Sequence, residues 1–198
     1  EGSGFSYQGP QRTPSQLAPN ANVYVFDPRG NAVRQLSFLL NQELAPSFMA
    51  DGRVMYTTEK RAQDFFQLAG RRQNLDGSDY HPLFAQRKSV GFELATELLE
   101  LPNRNFALIA APANARDGAG TLAIINRSIG PDQDDRDPND PFYMHSLSFP
   151  APGAFDGGSG AYRSPAALPG PFVVLSCDPA ARDLSRGGFD FDLCAINP

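Results

Sequence analysis

The side chains best placed to hold a metal ion are Asp132, Asp134, Asp135, Asp137 and Asp140, with Asn139 among them, all in residues 131–140. Hard oxygen ligands at alternating positions suit Ca2+. The EF-hand spacing fails, because its sixth position needs glycine and holds Asp137, and its twelfth needs a bidentate glutamate and holds Tyr143. The competing reading is a solvated acidic loop that Arg136 partly neutralises. Calcium is therefore the one cofactor the sequence puts forward, and no organic cofactor has a signature here.

The remaining chemistry-bearing residues do not assemble into a catalytic set. His81 and His145 are the only 2 histidines, and neither has a partner at metal-ligand spacing. Ser159 lies in Gly157-Gly158-Ser159-Gly160, but Ala161 breaks the Gly-x-Ser-x-Gly pattern and no helix is expected after it. Gly118-x-Gly120-x-x-Ala123 leads into a strand, whereas a dinucleotide fingerprint follows a strand and opens a helix. Arg71-Arg72 and Arg87-Lys88 read as solvated turns or strand ends, and Asn126-Arg127-Ser128 fits a glycosylation sequon. The expectation is a chain that is not itself an enzyme.

Cys177 and Cys194 are the only 2 cysteines. They suit a disulfide closing a hairpin-sized loop, worth roughly 3 kcal/mol in the chain-entropy picture. Two buried thiols on neighbouring strands fit the spacing equally well.

The elements that would carry these residues are strands. In 198 residues there are 18 Gly, 18 Pro and 15 Phe, a mixture that favours short strands joined by tight turns over a helical bundle. Residues 22–26 alternate strongly, the turn Asp27-Pro28-Arg29-Gly30 follows, and 33–39 returns as a partner strand. Residues 46–56 repeat the theme, with Asp51-Gly52 as a hairpin turn. Further strands are expected over 64–69, 80–84, 106–109, 120–125, 143–149, 172–175 and 189–196, with Asp76-Gly77 as another turn and 59–63 as a polar connection. Residues 90–101 would score alone as an amphipathic helix, but their place in the repeat makes them extended.

The repeat itself is the strongest signal. Ala45-Pro46-Ser47-Phe48 with its Asp51-Gly52-Arg53 turn matches Ala95-Thr96-Glu97-Leu98 with Pro102-Asn103-Arg104, and Ser164-Pro165-Ala166-Ala167 with Leu168-Pro169-Gly170. Asp51 to Asn103 spans 52 positions and Asn103 to Gly170 spans 67. Propeller blades run at roughly 40–50 residues, so the third copy carries an insertion, placed at 128–160. A fourth copy is expected to open at Phe189.

These residues resemble the TolB-type, WD40-like (PD40) propeller repeat. Asn-Val-Tyr-Val-Phe-Asp-Pro-Arg-Gly-Asn-Ala-Val-Arg-Gln-Leu-Ser and then Ala-Pro-Ser-Phe-Met-Ala-Asp-Gly-Arg-Val-Met-Tyr-Thr carry the likeness. Ser37 stands where that repeat has Thr, and Met49-Ala50 where it has Ser-Pro. Envelope proteins with such repeats include the propeller regions of hydrazine synthase alpha-like proteins, yet no Cys-x-x-Cys-His attachment site for haem occurs here.

The resemblance implies an all-β fold: a β-propeller segment of three to four antiparallel blades, part of a larger ring or completed by another chain. Residues 1–21 would be an extended arm or linker and 22–198 the propeller segment. The chain begins at Glu1 with no leader in front of it, which suggests processing or a larger parent. The expected role is a non-catalytic module that binds or scaffolds protein in a periplasmic, cell-surface or secreted assembly. The alternative is the propeller domain of a larger hydrolase or redox enzyme whose catalytic residues lie elsewhere. Expected partners are other protein chains or the rest of the ring. A net charge of −5 gives no footprint for nucleic acid, and no run reaches the roughly 18 apolar residues of a membrane span.

Overall fold

Two strands bear apolar residues along their whole length, and they mark the middle of the molecule. In the computed structural model, which describes residues 21–38, 42–62, 65–84, 92, 94–129, 144–146 and 160–197, Phe106–Ala111 and Thr121–Ile125 are buried at every position. A strand covered on both faces reads as a continuous apolar run, whereas one covered on a single face alternates. Val173–Asp178 shows that second pattern, with Val173, Leu175 and Cys177 buried and the residues between them half-buried. The first strands therefore belong to an inner sheet and the last to a sheet at the end of a stack.

In chain order the strands are β1 (Tyr24–Asp27), β2 (Ala32–Gln35), β3 (Glu43–Phe48), β4 (Val54–Ala62), β5 (Phe65–Gln73), β6 (His81–Pro82), β7 (Leu94–Glu100), β8 (Phe106–Ala111), β9 (Thr121–Ile125), β10 (Met144–Ser146), β11 (Ala161–Ala167), β12 (Val173–Asp178) and β13 (Asp192–Ile196). They form four antiparallel meanders: β1-β2, β3-β4-β5-β6, β7-β8-β9-β10 and β11-β12-β13. Strand β3 packs on β7, and β7 packs on β11, so the first strand of each of these three sheets lines a common inner surface. This is an all-β segment of a propeller, in which the described residues make two four-stranded blades flanked by a two-stranded and a three-stranded one.

The interiors lie between the blades. Met55 and Phe84 of one blade meet Leu98, Phe106 and Ile125 of the next. Ile109, Leu122 and Ile124 meet Val173 and Leu175 across the following boundary. Val23 and Leu36 close on Val54 and Tyr56 at the other end.

Several expectations need correction. The stretches 22–38 and 46–56, which read together as one blade-sized block of antiparallel sheet, are divided between two sheets, because β1-β2 belong to one and β3-β4 open the next. The run from Phe189 starts no fourth blade, since β13 pairs with β12 and extends the third. Residues 59–62 are no polar connection: β4 continues through Ala62, and Glu59 is buried while its backbone pairs with Leu68. Residues 94–100 are extended, as the repeat required.

Candidate functional site

The inner strands share one irregularity. In β3 the register jumps between Leu44 and Ser47, in β7 between Thr96 and Leu99, and in β11 between Arg163 and Ala166. Each jump is a bulge in which two residues oppose one on the partner strand. The first residue of each bulge is left-handed: Ala45 at φ 50°, Glu97 at 53° and Ser164 at 55°. Pro46 and Pro165 occupy the second position, where no ladder N–H is needed. The structural match of Ala45 is thus Glu97 rather than Ala95.

A bulge frees backbone groups, and here side chains of neighbouring blades take them up. The Ser47 hydroxyl donates to the carbonyl of Leu98 at 2.7 Å. The Ser164 N–H donates to Glu97 Oε2 at 2.5 Å, with its hydroxyl 3.4 Å from Oε1. Farther along the same boundary, the Thr57 hydroxyl donates to the Ala95 carbonyl at 2.7 Å. The three bulges enclose an open cavity of about 260 Å³ between Pro46, Glu97, Leu99 and Pro165. A second cavity of about 350 Å³ lies where the turns begin, between Phe48, Leu101, Pro102 and Ala167. Both are lined by residues of β3, β7 and β11.

Charge collects at the turn end. Glu100, 3% exposed, receives Arg127 at 2.8 Å and Arg104 at 3.4 Å on Oε1, and the Ala50 N–H at 2.5 Å on Oε2. Asp51 pairs with Arg53 at 2.5 Å, and that guanidinium holds its carboxyl down to about 2. Asp79 is shared by Arg53 at 3.3 Å, Arg72 at 3.9 Å and His81 Nδ1 at 2.7 Å. Of the two expectations for Arg71-Arg72, a solvated turn or a strand end, the pair meets the second. It sits on β5, with Arg71 over the Tyr80 ring at 5.1 Å and Arg72 facing Asp79.

One buried carboxylate stands apart. Glu43, at the start of β3 opposite Thr58, has no hydrogen bond to either oxygen. Burial pushes its carboxyl above the usual range, and the nearby Ser37 and Tyr80 hydroxyls and the Arg71 guanidinium offset this only in part.

The other sequence candidates are placed as follows. His81 sits in the exposed ion-pair cluster just described. Gly118 is a left-handed turn residue, and Gly120 bridges to Tyr162 in the next blade, so that run holds blades together. Asn126 accepts the Ser128 N–H at 3.0 Å and caps the 3-10 turn Arg127–Ile129. Cys177 and Cys194 are joined as a disulfide between β12 and β13. Asp132, Asp134, Asp135, Asp137, Asp140 and Ser159 lie outside the described residues, as do Arg87 and Lys88. No helix among the described residues is long and apolar enough to cross a membrane.

The Glu100 network was missed in the sequence because its members come from three separate turns. The only signal was Glu100 and Arg104 at i,i+4, which on a strand-turn-strand carries no expectation of contact.

No protein-family profile and no curated protein sequence matches this chain. A solved structure shares its fold. It is hydrazine synthase of Kuenenia stuttgartiensis, with a TM-score of 0.62 at 20% identity over 89% of this chain and 21% of that one. The chain thus spans about a fifth of that protein, and at this identity the likeness is one of fold alone.

Proposed function

We propose that this chain is a TolB-like, non-catalytic propeller segment that binds or scaffolds protein chains in a secreted or cell-envelope assembly. The observation that carries this reading is the pair of open end sheets. Among the described residues β1 pairs only with β2, and beside it lies an apolar cavity of about 200 Å³ rimmed by Phe26 and Phe48. Phe26 is 57% exposed and Phe48 69%. At the far end β13 pairs, among the described residues, only with β12, and Leu193 is 80% exposed. Unpaired strand edges flanked by apolar side chains are templates for another chain or for more of the same ring. The disulfide supports an oxidising compartment.

Light scattering coupled to size exclusion tests this. The wild-type chain should self-associate or bind an apolar dye through these edges, and a Phe26→Asp/Leu193→Asp variant should do neither. A wild-type chain that stays monomeric and dark with the dye would sink the reading.

A second reading is favoured by the solved structure that shares the fold: this segment would be the propeller domain of a larger enzyme. Mass spectrometry of the intact polypeptide that carries this sequence separates the two. A catalytic domain on that polypeptide supports the enzyme, and blades alone support the scaffold. For the acidic run 132–140, a calcium titration followed by thermal shift is the direct test, and an unchanged midpoint removes the metal.

A further inference from the structure

The cavity at the turn end of β3, β7 and β11 has apolar walls and a cationic rim. Phe48, Met49, Leu101, Pro102 and Ala167 form the walls, and Arg104, 57% exposed, stands at the rim. The carboxylate that lines this cavity is Glu100, and it is fully engaged: one oxygen faces two guanidiniums, and the other takes the Ala50 N–H. Arg127 is the closer of the two cations at 2.8 Å, so Arg104, at 3.4 Å, keeps most of its five donors unspent. Directly beyond Ala50, Asp51 and Asp79 balance Arg53 and Arg72, and Arg72 Nε is buried with no hydrogen bond. Four guanidiniums thus face three carboxylates, in a chain whose net charge is −5. The local sign is opposite to that of the whole molecule.

We propose that this cavity docks a carboxylate carried beside an apolar side chain on a peptide of a partner protein. The apolar group enters between Phe48 and Leu101, and the carboxylate takes the free donors of Arg104, whose planar guanidinium suits a two-oxygen acceptor. Charge complementarity selects the occupant: a neutral apolar peptide would leave the remaining donors of Arg104 to water, and a basic one would be repelled. This rests on the protein-binding reading above but fails separately from it, because neither Phe26 nor Leu193 lines this cavity.

The test is a backbone-amide NMR titration with the tripeptide acetyl-Gly-Leu-Phe bearing a free carboxyl terminus, its C-terminal amide, and inorganic phosphate at matched ionic strength. The carboxylate peptide should shift the Leu101 and Arg104 amides saturably. Its amide should bind about ten-fold more weakly, as expected for the loss of one charge-assisted contact. Arg104→Gln should weaken the carboxylate peptide by a similar factor with an unchanged thermal midpoint, and Arg127→Gln should do so less. Equal binding of acid and amide overturns the proposal, as does wild-type affinity in Arg104→Gln. Phosphate that competes as well as the peptide overturns the peptide assignment and leaves a general oxyanion site.

Discussion

The Glu97 carboxylate accepts the backbone N–H of Ser164 at 2.5 Å, so a left-handed residue in one blade caps the left-handed residue of the next. Both are first residues of bulges on neighbouring inner strands. Removing the carboxylate in Glu97→Ala should cost about 1 kcal/mol, the worth of a charge-assisted hydrogen bond at a partly exposed site. Glu97→Gly loses the same bond but relieves the left-handed backbone. It should therefore be more stable than Glu97→Ala by roughly 0.5–1 kcal/mol, after the greater freedom of glycine in the unfolded chain is counted. Urea denaturation of both variants decides this, and the reverse order would show that the bulge is not strained.

Gly70 on β5 is needed for space, not for backbone freedom. A Cβ there would lie 2.4 Å from Phe84 and 2.7 Å from Leu98, both buried between the first two complete blades. Gly70→Ala should destabilise by about 1–3 kcal/mol through overpacking. Gly52 is the opposite case: a Cβ meets nothing within 4 Å, but φ is 86°, so Gly52→Ala should cost about 1–2 kcal/mol in backbone strain alone. The two differ in their rescue. Leu98→Ala should recover part of the Gly70→Ala loss and none of the Gly52→Ala loss in a double-mutant cycle.

The Cys177–Cys194 disulfide ties the last strand to its neighbour over a sequence separation of 17. Without it β13 has, among the described residues, one ladder, to β12. Reduction, or Cys194→Ala with Cys177→Ala, should lower stability by about 3 kcal/mol. Hydrogen exchange should show the loss concentrated in Asp192–Ile196. Loss of protection spread evenly over all sheets would mean the bond serves the whole fold and not that edge.

The repeat was legible because turns impose residue types. Asp51-Gly52 and Asp76-Gly77 mark positions where left-handed backbone and side-chain capping are required: Gly52 is at φ 86° and Gly77 at 91°. The bulges were half legible. Pro46 and Pro165 announce them, but β7 has Leu98 there, so matching by residue identity put Ala95 opposite Ala45 and missed Glu97 by two positions. Blade boundaries were not legible at all. Strand alternation tells which face of a strand is buried, not which strand it pairs with, and β2 and β3 are neighbours in sequence yet belong to different sheets. The ionic groups at the turn end were invisible for a related reason: Glu100 and Arg127 meet only because β8 and β9 return the chain to the same end.

Glu43 and Asp51 predict opposite pH dependences in separate windows. Asp51 is held down to about 2 by Arg53, so its contribution is present above its ordinary 3.8 and is lost only as the pH falls towards 2. Glu43 is displaced the other way by burial. Its contribution is fully present below the ordinary 4.5 and is lost as the pH rises through the higher value of the folded state. Above that value the charged form sits buried with neither oxygen hydrogen-bonded, at a cost on the order of 1–2 kcal/mol. Glu43→Gln keeps the shape and removes the charge. It should be near neutral at pH 4 and stabilising by about that amount at pH 8, so the difference in urea midpoint between variant and wild type should widen as pH rises. The loss sits at the junction where Ser37 and Tyr80 approach Glu43, so wild-type hydrogen exchange in β1 and β2 should also quicken with pH beyond its intrinsic increase. A Glu43→Gln difference that stays flat from pH 4 to pH 8 would mean that Ser37, Tyr80 and Arg71 offset the burial of this carboxylate in full, and the assignment of an incompletely compensated charge would fall.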